Sequence, residues 1–558
     1  MKRNNFLIFK LCHCCIAAAA MLLAACADYN ETDDFTAQAD PTAVVPYKEL
    51  APVKSYIDRA KYPNMSLGAQ MKVKDFNDQA LIHAAAVTNF DYVAFGTSLM
   101  SGSIVNEKGV MNFLDMMDLL DHVEEIGYEV HGSPIFANAN QADSWLKKLT
   151  APIEVPVDFV EGKVVNYNDS TKFNGTVDKG KGEIVKYDGQ NVLKINSGTN
   201  PGQVRIIEGF EVDSLANYTT TFWAKADKDA TFDVTFSGRK VTGTGPNGKW
   251  TFKAGKWTKI VVESQSEPGV KEGYLRIENT RSGVIYIQKV QVGYYPDNHR
   301  PQTVQERRDT IDYAMRAWCD GLMKVNAGRI HSFDLIDEPL DTKKVLANGN
   351  YDLKHAGQGQ IFWQDVLGSE NYAPVVSKLA SEAYEQYEGD PSKLQFFISE
   401  TGLENQKTFE SLNYWINVWT SNGAKIDGIN AKLNLTYNED ATKQEANRAT
   451  LDQLLTNLAS TGKLVRLSNF DIKYVSAAGQ NVAAKDITAE QRQKLADYYG
   501  YVIKCYMTVI LPQNQAGICK GSMNDTNDPV GLWAVDINSK DWVRTATYKA
   551  FCDALSGQ

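Results

Sequence analysis

Over two separate stretches of the chain, short apolar runs alternate with segments whose apolar residues recur at helical spacing. The first stretch holds three strand-like runs, MSLGAQM (Met65 to Met71), DYVAFGT (Asp91 to Thr97) and EVHGSPIF (Glu129 to Phe136). Between the last two, Phe113, Met117, Leu120, Val123 and Ile126 mark one face of a helix. After Pro296 the pattern resumes with a helix over 307–325 and five more strands: FDLID from Phe333, LQFFISE (Leu394 to Glu400), IDGINAKLNLT (Ile426 to Thr436), LVRLSNFDI (Leu464 to Ile472) and AGICKGS (Ala516 to Ser522). Helices separate them, including 375–387 and 446–459. Strand-helix-strand alternation calls for a parallel sheet covered by helices. Eight such strands predict an α/β fold closed as a (β/α)8 TIM barrel.

Between the two stretches the texture changes. From 153 to 295 helical periodicity is absent, and Gly, Thr, Asn and Asp turns separate short alternating strands such as TTTFWAKA, ATFDVTF, WTKIVVES and VIYIQKVQVG. That pattern predicts an antiparallel β-sandwich. Because barrel-like alternation continues on its far side, the sandwich reads as an insertion at 153–295 between barrel segments 44–152 and 296–556.

A chain of 558 residues is too long for one ordinary core, which fits this two-domain reading. Its formal net charge of −10 argues against nucleic acid as a partner and suits a neutral ligand such as a glycan. The N-terminus has a different character. Lys2, Arg3 and Lys10 precede an apolar run ending at Ala25, which reads as a secretory signal peptide over 1–25. Residues 26–43 are polar and acidic (Asp28, Glu31, Asp33, Asp34), as a flexible tether would be. Leu23-Ala24-Ala25-Cys26 resembles a bacterial lipobox, which implies a lipidated Cys26 seated in outer-membrane lipid. Acidic residues directly after it resemble the export signal of Bacteroidota surface lipoproteins, so the expected location is the outer membrane, facing the cell surface. Cys319, Cys505, Cys519 and Cys552 show no metal-ligand spacing and are expected as free thiols; no metal or cofactor is expected.

The run richest in chemistry is HSFDLIDEPL, His331 to Leu340, a strand that delivers Asp337 and Glu338 to a turn fixed by Pro339. Barrel enzymes build their sites from such strand ends. With Phe362-Trp363-Gln364-Asp365-Val366-Leu367-Gly368, Ile426-Asp427-Gly428-Ile429 and the sequence around Leu467 to Asp471, it makes most of residues 45–556 resemble glycoside hydrolase family 10, the endo-β-1,4-xylanases. The insertion resembles carbohydrate-binding modules of families 4 and 22. The resemblance implies a retaining mechanism with two carboxylates about 5–5.5 Å apart. It puts Glu338 at the acid/base position and Asn469, within Ser468-Asn469-Phe470-Asp471, at the nucleophile position.

An Asn amide cannot ionise, so by this resemblance the nucleophile is missing. Other site positions are altered in the same direction. Asp337 stands for the family's Asn, Lys432-Leu433-Asn434 for Gln-x-His, Lys520 for the Trp floor of the site, and Ser399-Glu400-Thr401-Gly402 for Asn-Asp-Tyr-Asn. Thr97 to Ser101 lacks the family's Lys, and the third-strand His pattern reads Ser133 to Asn138. The substrate-binding candidates are therefore Asp337, Asn138, Asn434, Lys432 and Lys520. Trp145 and Trp533 are candidate stacking platforms on the site side of the barrel, and Trp250 or Trp257 is the candidate exposed ring of the sandwich. The expectation is a surface protein that binds β-1,4-xylan or a related plant polysaccharide with little or no hydrolysis, beside neighbouring glycan-uptake proteins. The alternative is an active endo-β-1,4-xylanase using Glu338 as acid/base with Asp471 or Glu400 as second carboxylate.

Overall fold

The computed structural model describes residues 47–196, 202–279, 283–357, 360–535 and 541–557. The expected signal peptide, Cys26 and the tether to residue 43 lie outside the described residues. The chain divides into two compact units, one running to Thr150 and again from Thr303, the other Ala151–Gln302.

The first unit is a closed parallel barrel of eight strands: β1 (Leu67–Gln70), β2 (Tyr92–Ala94), β3 (Glu129–Gly132), β4 (Ser332–Asp337), β5 (Gln395–Thr401), β6 (Gly428–Lys432), β7 (Leu464–Ser468) and β8 (Gln515–Lys520). Pairing of β1 with β8 and of β4 with β5 closes the ring. Helices follow the strands, among them Leu114–Glu125, Tyr372–Gln386, Gln406–Ser421, Ala441–Ser460 and Ala489–Val509. The helix Val304–Asn326 leads back into β4; a Thr303/Glu306 capping box starts it and left-handed Ala327 ends it.

Three expected strands are shorter than their apolar runs. EVHGSPIF breaks after Gly132, where Pro134 has no amide proton to give to a ladder, and the chain rejoins β4 only at Phe136 and Ala137. β6 and β7 leave the barrel after Lys432 and Ser468, and their continuations, Leu435–Asn438 and Ile472–Val475, pair again as a separate two-stranded parallel sheet. Lys432, Asn469 and Glu338 therefore sit where the strands part, which is the mouth of the barrel.

Gly428 shows why the Asp427-Gly428 pair belongs to this fold. A Cβ there would lie 2.2 Å from the Phe397 ring, which fills the interior beside it. Gly428→Ala should cost about 1–3 kcal/mol by overpacking, seen as a lower urea midpoint; an unchanged midpoint would mean that Phe397 can move aside. Cys319, Cys519 and Cys552 are buried and Cys505 is partly so, all as free thiols.

The second unit is a β-sandwich of two six-stranded antiparallel sheets. One is built around Asn217–Ala226 and Ile285–Tyr295, the other around Ala230–Phe236, Glu272–Asn279 and Gly202–Glu211. Alternate side chains such as Phe222, Phe232, Phe236, Leu275 and Val290 form its core.

Candidate functional site

At the barrel mouth one lysine holds two carboxylates. Lys432 Nζ pairs with Asp337 Oδ1 and lies 3.1 Å from Glu338 Oε1. Lys354, after the hairpin that follows β4, lies 3.7 Å from Glu338 Oε2, and Ser399 Oγ donates to Asp337 Oδ1 at 2.6 Å. Glu338 adopts φ 45°, left-handed backbone that costs a non-glycine residue about 1–2 kcal/mol. Its own amide is held by the Ser399 carbonyl at 2.8 Å. Asn469, at the end of β7, is also left-handed (φ 50°), a conformation that Asn tolerates better than most residues.

This arrangement sets the charges. Burial pushes the Glu338 carboxyl up, but the charge and hydrogen bond of Lys432, joined by Lys354, outweigh it and hold the pKa below the ordinary value. For Asp337 burial wins over the same lysine, and its pKa lies above the ordinary value. Lys432 is raised by its two carboxylates against the effect of burial, so it stays charged.

Glu400, on β5, has the opposite character. It is 3% exposed, and burial raises its pKa to about 7. Its oxygens accept from the amides of Leu340 at 3.1 Å and Thr401 at 3.0 Å. Asp471 is held by Lys520 and by the Ser522 amide at 3.1 Å. Glu338, Asp337, Glu400 and Asp471 thus each have a partner within the chain: Lys432, Lys354, Lys520 or a backbone amide.

Comparison with known families adds to this geometry. Residues 296–528 match the model of Glycosyl hydrolase family 10. The family 10 match begins where the insertion ends and takes in β4 to β8, with Glu338, Lys432, Asn469 and Lys520 inside it. No curated protein matches the chain. Solved structures of similar fold include xylanase XynB from Paenibacillus barcinonensis complexed with a conduramine derivative (TM-score 0.50, 9% identity, covering 90% of this chain and 98% of that one). Xylanase B from Clostridium stercorarium F9 gives TM-score 0.50 at 9% identity over 90% of this chain and 100% of its own. A GH10 endoxylanase retrieved from sugarcane soil metagenome gives 0.50 at 8%, over 90% and 99%. At these identities the likeness is one of fold.

The expected site residues separate into groups. Asp337, Lys432 and Asn469 line a cavity of about 160 Å³ at the mouth, together with Ser468, Thr97 and Arg466. Asn434 is exposed, and its amide donates to Glu404 at 3.1 Å. Asn138 accepts from Gln364 at 3.0 Å and lies outside the wall of that cavity. Lys520, expected to meet substrate, is buried against Asp471 and over the Tyr499 ring instead.

The aromatic expectations need correction. Trp145 is buried against the turn at Gly109, where an added Cβ would come 2.5 Å from its Nε1. Trp533 is buried between Trp542 and Tyr548. Trp250 is not an exposed ring: its strand pairs with Ala230–Phe236, which turns it into the sandwich core, with Nε1 donating to the Val241 carbonyl at 3.2 Å. Trp257 is partly exposed and lies 5.9 Å from Lys225 Nζ. An exposed ring that sequence reasoning missed is Trp223, 43% exposed on the outer face of Asn217–Ala226. Alternation along TTTFWAKA, with Phe222 inward, was the available signal. Lys354 was also missed, since no motif surrounds it. Among the described residues no three His, Cys, Asp or Glu side chains converge as a metal would need, and no helix is long and apolar enough to cross a membrane.

Proposed function

We propose that this chain is a family 10 relative that binds β-1,4-xylan or a related plant polysaccharide with little or no hydrolysis. The observation that carries this reading is the ion pair between Lys432 and Glu338. A glycosidase acid must hold a proton at working pH, which requires a raised pKa. Glu338 is instead held ionised, beside an Asn469 that cannot act as nucleophile. Glu400 has a suitable pKa of about 7, but both its oxygens are engaged by backbone amides.

Sugar rings would be held in part by the sandwich, whose outer face presents Trp223 and Trp257 with Lys225 and Tyr286 between strands. In this reading the insertion is a carbohydrate-binding-module-like domain. Lipidated Cys26 and the acidic tether would keep the chain at the outer membrane, near glycan-uptake proteins; the run Leu23 to Cys26 supports this. The alternative, an active endo-β-1,4-xylanase, draws support from the strained backbone kept at Glu338.

Affinity electrophoresis in gels containing xylan, mannan or mixed-linkage glucan should show retardation by xylan that weakens in Trp223→Ala; no retardation in any gel would overturn the binding role. In the same preparations, reducing-sugar release from xylan should stay at the blank for the wild type and for Asn469→Glu. Turnover by the wild type that disappears in Glu338→Ala would establish the active alternative.

A further inference from the structure

The strand starts of the barrel surround a second cavity of about 650 Å³, on whose wall lie Tyr92, His131, Ser332, Gln395, Arg466 and Gln515. Ligand sites commonly enclose roughly 300–1,000 Å³, and none of Asp337, Glu338 or Lys432 lines this one. Arg466 reaches into it from β7, its guanidinium 4.6 Å from the centroid of the Tyr92 ring and 5.3 Å from that of Phe397. The residue is 5% exposed, yet its Nε and Nη1 have no hydrogen-bond partner. A buried guanidinium is costly unless it is paired and hydrogen-bonded.

Its neighbours supply charge, from Asp334, but no hydrogen bond to these atoms. Asp334 is occupied by His131 Nε2 at 3.2 Å and by Asn430 Nδ2 at 3.1 and 3.0 Å. Other cations on the wall are engaged: Lys54 donates to the carbonyls of Val87 and Phe90 at 2.7 and 3.1 Å, and Arg59 holds Asp91 at 2.8 Å. His131 is neutral, because burial and then the charge of Arg466 lower its pKa to about 4. Gln515 donates through Nε2 to the Ile510 carbonyl at 2.8 Å and leaves its buried Oε1 without a donor.

We propose that this cavity binds a small hydroxylated monocarboxylate, its carboxylate on Arg466 and a hydroxyl donating to Gln515 Oε1. A planar guanidinium matches a planar carboxylate. The unmatched acceptor of Gln515 asks for a hydroxyl on the same ligand. The wall sets Lys54, Arg59 and Arg466 against Asp91 and Glu129, a balance that matches one negative charge on the ligand better than the two of a phosphate dianion.

Calorimetric titration of the full chain with gluconate, acetate and inorganic phosphate at equal ionic strength tests this. Gluconate should bind saturably and more tightly than acetate, with no binding of phosphate. Gln395→Glu adds a carboxylate to the wall of this cavity alone and should weaken gluconate by about tenfold or more; Arg466→Gln should abolish binding. If Arg466→Gln does not fold, Gln395→Glu decides. Absence of saturable gluconate binding, an affinity unchanged by Gln395→Glu, or tighter binding of phosphate would overturn the proposal and leave the guanidinium solvated by water.

Discussion

Lys432→Met should lower the unfolding free energy of the barrel by about 3–5 kcal/mol near pH 7, because removing one partner of a buried ion pair leaves the other charge uncompensated. The loss falls chiefly on Asp337, whose side chain is 13% exposed; Glu338, at 36%, is partly screened by water. Lys432 has a raised pKa, so its contribution is complete below the ordinary lysine value and is lost only as pH rises through the folded one. Glu338 has a lowered pKa, so its contribution is present above the ordinary value and is lost as pH falls through the folded one. The penalty of Lys432→Met is therefore full while both carboxyls are ionised and shrinks as pH falls, first through the raised pKa of Asp337 and then through that of Glu338. Urea midpoints at several pH values check this, and Asp337→Asn added to Lys432→Met should recover part of the loss. A penalty below about 1 kcal/mol would mean that the pair behaves as a surface salt bridge.

The second large effect belongs to Glu400. Its pKa is raised from 4.5 to about 7, so between those values the folded chain keeps a proton that the unfolded chain releases. Stability must then fall as pH rises through this window, by about 3 kcal/mol in all, and level off above it. Glu400→Gln, which carries no titrating proton, should flatten the fall in urea midpoint between about pH 5 and 8. It should also lose one of the two bonds accepted from Leu340 and Thr401, so the slope rather than the absolute midpoint is the readout. Identical slopes in wild type and variant would show that those amides and Lys354 already stabilise the ionised form.

Together these predictions describe a barrel mouth whose charges serve one another. The charge and hydrogen bond of Lys432 favour the ionised form of Glu338. Glu338 and Asn469 share left-handed backbone at this mouth.

Much of this was legible in the chain. Period-2 and period-3.6 patterns located all eight strands, and breakers such as Pro134 explain where the apolar runs stop short of strands. The aromatic residues were less readable. Trp250 follows a turn, which says nothing about which face its strand turns inward; only pairing with Ala230–Phe236 makes it core. Trp145 is covered by the turn at Gly109, and Trp533 by Trp542 and by Tyr548 of the last helix, contacts that local spacing does not reveal. Lys520 sits at a strand end as expected and is buried by Asp471, forty-nine residues away in sequence.

What the sequence by itself determined is the barrel, the insertion and the residue types at each strand end, because these follow from local periodicity and turn chemistry. Only the tertiary structure decided how those residues are charged and which are exposed. A pKa is set through space, by Lys432 from β6 and Lys354 from beyond β4 acting on one carboxylate, and neither distance is encoded in the spacing of residues along the chain.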